Sequence, residues 1–192
     1  MSENEKVKEI KKISVELILP KEEYLDSCVK AGEELYSLNI KTFGLYDPDV
    51  MDVDPWKKTI LKFYEMARQG VNLPSGHVPS STFWLVEDGE FVGIGNVRHR
   101  LTDALLRFGG HIGYAIRPTK WNQGYGTLLL KFLLKEAARL GIEEVLLTCD
   151  KANIASAEVM KKNGAIFLDA FEDVIDGKPR TTCRYTIAVD IQ

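Results

Sequence analysis

The stretch Arg117-Pro118-Thr119-Lys120-Trp121-Asn122-Gln123-Gly124-Tyr125-Gly126-Thr127 marks the point where the chain changes character. Before it, Gly110 to Arg117 carries Ile112, Tyr114 and Ile116 at the two-residue period of a strand, and the residue before Pro118 is biased towards extended backbone. After it, Leu129, Phe132, Leu133, Ala137 and Leu140 recur at helical spacing up to a stop at Gly141. A strand therefore leaves through a glycine-containing loop into a helix N-terminus. Such a junction suits an anion. Glycine lets the backbone approach a ligand, and the N–H groups of the first helical turn lack intrahelical partners at the positive end of the helix dipole. A Gly-x-Gly pair equally serves a tight turn and nothing more, and the pair alone does not separate the two readings. Two nucleotide templates do fail here. No Gly-x-x-x-x-Gly-Lys-Ser/Thr is present, and the third glycine of Gly-x-Gly-x-x-Gly would fall on Leu129.

Downstream, Val145 to Cys149 is a continuous apolar strand of the buried type, and Asn153 to Asn163 is a short helix stopped by Gly164. Two final strands, near Ala165 to Phe171 and Cys183 to Val189, flank a turn containing Asp176-Gly177. Upstream, Thr82 to Glu87 and Phe91 to Arg98 flank Asp88-Gly89, the strongest two-residue hairpin signal. Asp54-Pro55 reads as a helix start with Asp54 as N-cap, and Trp56, Ile60, Phe63, Tyr64 and Ala67 supply the apolar face as far as Gly70. Ile13 to Leu19 is a strand that Pro20 ends, followed by a helix marked by Tyr24, Leu25, Cys28, Val29, Gly32, Leu35 and Tyr36. The expected fold class is α/β in the α+β sense, a mixed and mostly antiparallel central sheet flanked by helices.

Composition narrows the function classes. With 45% hydrophobic and 28% charged residues in 192, the chain is expected to form a single globular domain over residues 1–192 with a core of its own. No apolar run approaches the ~18 residues of a spanning helix, so no membrane partner is expected. A net charge of −3 gives no drive towards nucleic acid. Cys28, Cys149 and Cys183 are odd in number, far apart and without a C-x-x-C pair, which argues against a disulfide framework and a structural zinc site. No metal is expected, and a reducing cytoplasm fits best. Residues 1–12 are charged and lack the apolar centre of a signal peptide, and read as a flexible lead-in.

The run Gly110-His-Ile-Gly-Tyr-Ala-Ile-Arg-Pro118, continued through Gly124-Tyr-Gly-Thr-Leu-Leu-Leu130, resembles the cofactor motif of the GNAT (Gcn5-related) N-acetyltransferases. Asn153-Ile-Ala-Ser-Ala-Glu-Val-Met-Lys-Lys-Asn-Gly164 resembles the next motif of that family. The likeness covers about residues 108–170. It divides the chain into an acceptor-side part (13–107), an acetyl-CoA-binding core (108–170) and a C-terminal hairpin (171–192). It implies the GNAT acyl-CoA N-acyltransferase fold, acetyl-CoA as cosubstrate, an amine acceptor and a homodimer as an option. The pyrophosphate would lie on the amides of Asn122, Gln123, Gly124, Tyr125, Gly126 and Thr127. The pantetheine arm would run beside Tyr114, Ala115, Ile116 and Arg117 like an added strand, with Asn153 and Ser156 facing the cofactor. One departure is Trp121, which stands where the family usually has Gln or Arg.

Direct transfer needs a deprotonated amine, donors for the oxyanion and a proton for the leaving thiolate. His111 stands where many members of that family carry a catalytic Glu, and a neutral imidazole is a competent base near pH 7. Hydrogen bonding within the sheet is the alternative for it. The family's usual acid is a Tyr, but the matching position is Met160, which has no proton to give. That leaves Tyr114, Cys149, Ser156 or water to protonate the thiolate, with packing as the alternative role for Tyr114. Cys149 is also a candidate nucleophile, set against the ordinary inertness of a buried thiol. Asp47, Asp49, Asp52 and Asp54 either attract a cationic amine or form a solvated loop with one N-cap. Arg98, His99, Arg100 and Arg107 either receive an anion or lie along a solvated sheet edge. The expected activity is acetyl-CoA-dependent N-acetylation of a small-molecule or peptide amine. A non-catalytic acyl-CoA-binding or sensor module is the alternative.

Overall fold

Strand β1 (Val15–Ile18) stops just short of Pro20, and a 3₁₀ turn (Glu22–Tyr24) leads into α1 (Leu25–Ser37). The computed structural model describes residues 14–40, 44–175 and 177–191. The lead-in 1–12, Ile13 of the expected first strand and Asp176 of the expected last turn lie outside these. Helix α2 (Val53–Gln69) begins earlier than expected: Asp52, extended at ψ 134°, is its N-cap, so Asp54 and Pro55 sit inside the first turn. Proline is accepted there because the first-turn N–H groups have no intrahelical partner to lose.

Strands β2 (Ser80–Glu87) and β3 (Glu90–Arg98) form the expected hairpin, with Asp88 at φ 47° and Gly89 at φ 87° in the turn. The segment after β3 is not a sheet edge. It contains a short helix, α3 (Asp103–Phe108), capped by Thr102, whose Oγ1 accepts the Leu105 N–H at 3.3 Å. Six residues are too few for helical periodicity to show in the sequence. Strand β4 (Ile112–Ile116), a 3₁₀ turn (Pro118–Lys120) and α4 (Tyr125–Arg139) follow. Then come β5 (Glu144–Asp150), α5 (Ile154–Lys162), β6 (Ile166–Ile175) and β7 (Lys178–Ala188). The final hairpin is longer than its apolar segments predicted, because Glu172, Asp173 and Arg180 continue the ladder with polar side chains.

The strands form two sheets, in the orders β1-β2-β3-β4 and β5-β7-β6, and every ladder in them is antiparallel. Helix α4 joins the sheets. Its Leu129, Leu130, Leu133, Leu134 and Ala137 share one core with Leu85, Val92, Val97 and Ile112 of the first sheet and with Val145, Leu147, Cys149 and Tyr185 of the second. Helices α1 and α2 cover the opposite face of the first sheet around Trp84, Phe91 and Ile94. The break between β4 and β5 is thus bridged from one side by an apolar helix.

Candidate active site

The hydrogen-bond parity of the two strands defines the break. The Arg98 N–H reaches the His111 carbonyl at 2.8 Å, and the Arg117 N–H reaches the Val92 carbonyl at 2.9 Å. Hydrogen-bonded positions alternate along an antiparallel ladder, so Gly113, Ala115 and Arg117 turn their main-chain groups towards β3. Ile112, Tyr114 and Ile116 turn theirs outward. On β5, the Val189 N–H to Glu143 O and the Lys151 N–H to Thr181 O, both 2.9 Å, set the opposite parity, so Leu146, Thr148 and Asp150 face β4. The edges are pinned at one end: the His111 N–H donates to Leu146 O at 2.7 Å and the Leu146 N–H donates to His111 Nδ1 at 2.9 Å. Beyond this point no ladder joins β4 to β5 among the described residues. Across the opening, the Tyr114 hydroxyl lies 3.0 Å from Ser156 Oγ and 3.3 Å from the Ser156 carbonyl, at the start of α5.

The opening runs towards the loop 117–127. Asn122 at φ 59° and Gly124 at φ 87° turn the chain into α4, and the space beside Gly124 is open. Gly126 is small for a different reason: a Cβ there would meet Val159 Cγ2 at 3.2 Å, so it lets α4 lie close to α5. The amides of residues 122–127 donate no hydrogen bond among the described residues, and the first helical bond is from Leu128 to Gly124, at 3.1 Å. A row of unpaired N–H groups thus converges at the positive end of α4. The loop is held by its side chains. Trp121 Nε1 donates to Ile116 O at 2.7 Å and Gln123 Nε2 donates to Thr119 O at 3.2 Å.

Residues 36–166 match the family model of the acetyltransferase (GNAT) domain. The chain belongs to the GNAT acetyltransferase family. Its structure is similar to RimL, an alpha-N-protein acetyltransferase of a ribosomal protein, in complex with coenzyme A: TM-score 0.70, 16% identity, 93% of this chain and 96% of that one covered. It is similar to yncA from Salmonella typhimurium with its cofactor acetyl-CoA, with TM-score 0.61, 18% identity and coverage of 93% and 95%. A GNAT-family acetyltransferase from Streptococcus pneumoniae gives TM-score 0.62 and 18% identity over 92% and 100%. At such identities the likeness is one of fold. No curated protein matches the sequence.

The GNAT domain brings most of the residues singled out in the sequence to this junction, and the hydrogen bonds and burial there alter the expected roles of some of them. His111 is the clearest correction. Its Nδ1 accepts a main-chain N–H, so in the neutral ring the proton is on Nε2 and no lone pair remains to take a proton from an amine. Burial, then the charge of Arg98, hold its pKa below the ordinary histidine value, opposed by Glu144. Arg98 itself donates to the carbonyls of Gly109 and Gly110 at 3.1 and 3.0 Å, fixing the bend that aims His111. It is therefore not a free anion receptor. His99 faces Ser81 Oγ at 2.9 Å and Arg107 pairs with Asp173 at 3.2 Å, so these too have intramolecular partners.

Arg117 is also reassigned. Its N–H goes to Val92, its carbonyl accepts the Lys120 N–H, and its guanidinium grips Glu34, so neither main chain nor side chain faces the opening. Ala115 likewise turns to β3, and the groups on this edge without partners among the described residues are those of Tyr114 and the Ile116 N–H, the Ile116 carbonyl being taken by Trp121. Burial, eased by the Ser156 bond and reinforced by Cys149, pushes the Tyr114 hydroxyl up to about 12. The Cys149 thiol is 5% exposed and pushed up to about 11 by burial, with Cys183 and Asp150 adding and Arg180 and Lys161 opposing. A protonated, buried thiol is not a nucleophile at neutral pH. Met160 is buried in the core. Asn153 caps α5, its Oδ1 accepting the Ser156 N–H at 3.0 Å. In the acidic stretch, Asp52 is the α2 N-cap and Asp49 accepts the Tyr36 hydroxyl at 2.6 Å, beside a cavity lined by Gly32, Tyr46 and Asp47.

Two residues that sequence reasoning missed contact the loop. Glu34 of α1 takes Arg117 and Thr119, and Glu87 of β2 takes Lys120 and the Tyr125 hydroxyl. Burial pushes the Glu34 carboxyl up, but Arg117 and Thr119 outweigh it and leave it below its ordinary value. Lys120 and Tyr125 lower Glu87 against a smaller effect of burial. Separations of 83 residues (Arg117 and Glu34) and 33 residues (Lys120 and Glu87) leave no local signal in the sequence.

Proposed function

We propose that this protein is an acetyl-CoA-dependent N-acetyltransferase that passes an acetyl group to a primary amine of a small molecule or peptide by direct attack in a ternary complex. The observation that carries the reading is two neighbouring sets of main-chain groups without partners among the described residues: the outward groups of Tyr114 and the Ile116 N–H on the open edge of β4, and the amides 122–127 at the start of α4. An extended amide-bearing arm adds to such an edge as a strand would, and a pyrophosphate suits the helix N-terminus. Related structures hold coenzyme A or acetyl-CoA on the same fold. The three free, buried cysteines fit a reducing cytoplasm.

Acetyl-CoA would supply the activated thioester, and the chain would supply donors and a proton. The outward N–H of Tyr114 is placed to stabilise charge that develops on a carbonyl oxygen in the opening. The Tyr114 hydroxyl keeps its proton up to about pH 12 and stands beside Ser156 Oγ, so this pair is the proton source for the departing sulfur. The amine sheds its proton to solvent, because the imidazole of His111 is turned to Leu146.

One observation favours the second reading, a non-catalytic acyl-CoA-binding module: neither His111 nor Met160 supplies the acid–base group expected at its position. The deciding experiment mixes protein and acetyl-CoA with a panel of small amines and peptides bearing free α-amines, and follows CoA thiol release. Amine-dependent release supports the transferase. Saturable acetyl-CoA binding without release for any amine supports the module. No binding removes both.

A further inference from the structure

We infer that Glu34 and Glu87 are positioning residues that hold the segment 117–125 between α1 and β2 in the shape a polyphosphate requires, an inference that rests on the acetyl-CoA reading above. Carboxylates beside an anion site repel the ligand unless they are neutralised. Here each is matched by a cation of the loop segment. Glu34 Oε1 receives Arg117 Nε at 2.7 Å and Nη2 at 2.6 Å. Its Oε2 receives the Thr119 hydroxyl at 3.1 Å and the Thr119 N–H at 3.4 Å. Glu87 receives Lys120 Nζ at 2.7 Å through Oε2 and the Tyr125 hydroxyl through Oε1. The other bonds of the segment include Trp121 to Ile116 and Gln123 to Thr119 within it, the Arg117 N–H to the Val92 carbonyl, a 3.4 Å contact of Arg117 Nη1 with Ser27 Oγ and, past its end, Asn163 Nδ2 to the Thr127 carbonyl at 3.2 Å. The two carboxylates are therefore the charged side chains from outside that grip the segment 117–125 among the described residues, one near its start and one across Lys120 and the first residue of α4. Arg117 and Glu87 expose only 13% and 12% of their side chains, so these pairs are shielded from solvent in a way that surface ion pairs are not. Fixing the loop before the ligand arrives spares the ordering entropy that binding would otherwise lose.

The test compares wild type, Glu34→Gln and Glu87→Gln by calorimetric titration with acetyl-CoA and with S-acetylpantetheine, which lacks the phosphates. Each variant is expected to bind acetyl-CoA about tenfold more weakly, while S-acetylpantetheine, measured directly or by competition, binds as it does to wild type. A charge swap, Glu34→Arg with Arg117→Glu, is expected to recover most of the affinity lost in Glu34→Arg alone, which separates positioning from loss of fold. Unchanged acetyl-CoA affinity in both glutamine variants overturns the inference. So does an equal loss for both ligands, because a fault in folding would not respect the phosphates. If wild type itself binds no acetyl-CoA, the acetyl-CoA reading fails, and the inference with it.

Discussion

His111 and Leu146 exchange two hydrogen bonds across the break between the sheets, one from each main-chain N–H, with Nδ1 of the imidazole as an acceptor. The ring therefore works as a neutral clamp at the closed end of the opening. Asparagine can offer a carbonyl oxygen to the Leu146 N–H, whereas alanine leaves that donor without a partner. Unfolding at pH 8 is expected to place His111→Asn within about 1 kcal/mol of wild type and His111→Ala about 1–3 kcal/mol lower. The folded pKa lies below the ordinary value of 6.5, so the folded state binds this proton less readily than the unfolded chain. The clamp's contribution is complete above about pH 6.5 and is lost as pH falls below it. His99, lowered by burial and Arg68, titrates in the same direction but is common to both proteins. The wild-type minus Asn difference should therefore shrink towards acid. A flat difference would show that His111 does not titrate against Leu146.

Tyr114 carries the proposed acid function through one atom. Tyr114→Phe keeps the ring in the core and removes the hydroxyl beside Ser156. If that hydroxyl protonates the thiolate, kcat should fall by roughly 10²-fold, the lower end for a general acid, with little change in acetyl-CoA affinity. The wild-type rate should show no loss from Tyr114 ionisation between about pH 7 and 10, because burial holds the phenol up to about 12. Full activity in the Phe variant would reduce Tyr114 to packing.

The strand, loop and helix around 117–127 were legible because three local signals agree there: alternation to Ile116, extended bias before Pro118, and helical spacing from Leu129. Side-chain partners were not legible in the same way. The parity that hands Arg117 to β3 depends on its pairing with Val92, and the tautomer of His111 depends on Leu146, 35 residues away. Likewise, α3 is set by one cap and by Arg184 Nη1 donating to the Leu106 carbonyl, contacts that no six-residue pattern encodes. The family motif locates the loop proposed to hold the cofactor, whereas the side-chain contacts beside it are set by residues distant in sequence.

Gly110 tests the closed end independently of any titration. It sits at φ 61°, and a Cβ would lie 2.4 Å from the Leu146 carbonyl oxygen and 3.0 Å from its carbon. Backbone cannot yield there as a flexible side chain could. Gly110→Ala is expected to lose about 2–4 kcal/mol through strain and separation of β4 from β5. Gly164→Ala, also at positive φ (87°) but in open space, should lose about 1–2 kcal/mol. Denaturation of the two variants side by side checks the order, and equal losses would mean that β4 and β5 do not meet at Gly110 as described.

Trp121 offers a direct optical report on the loop. Its indole is 41% exposed and hydrogen-bonded to Ile116 at the end of β4, whereas Trp56 of α2 and Trp84 of β2 are buried in the core between the first sheet and helices α1 and α2. A ligand that settles on the amides 122–127 must change the solvent around Trp121 and leave the other two indoles nearly unmoved. Acetyl-CoA should therefore shift or quench the tryptophan emission of wild type with the same Kd that calorimetry gives. Trp121→Phe should lose most of that change. It should also bind somewhat more weakly, by roughly threefold to tenfold, because the Ile116 carbonyl loses a donor that ties the loop to β4. An undiminished signal in the Phe variant would place the ligand away from this loop, against Trp56 or Trp84, and would count against the whole assignment of 122–127 as the phosphate cradle.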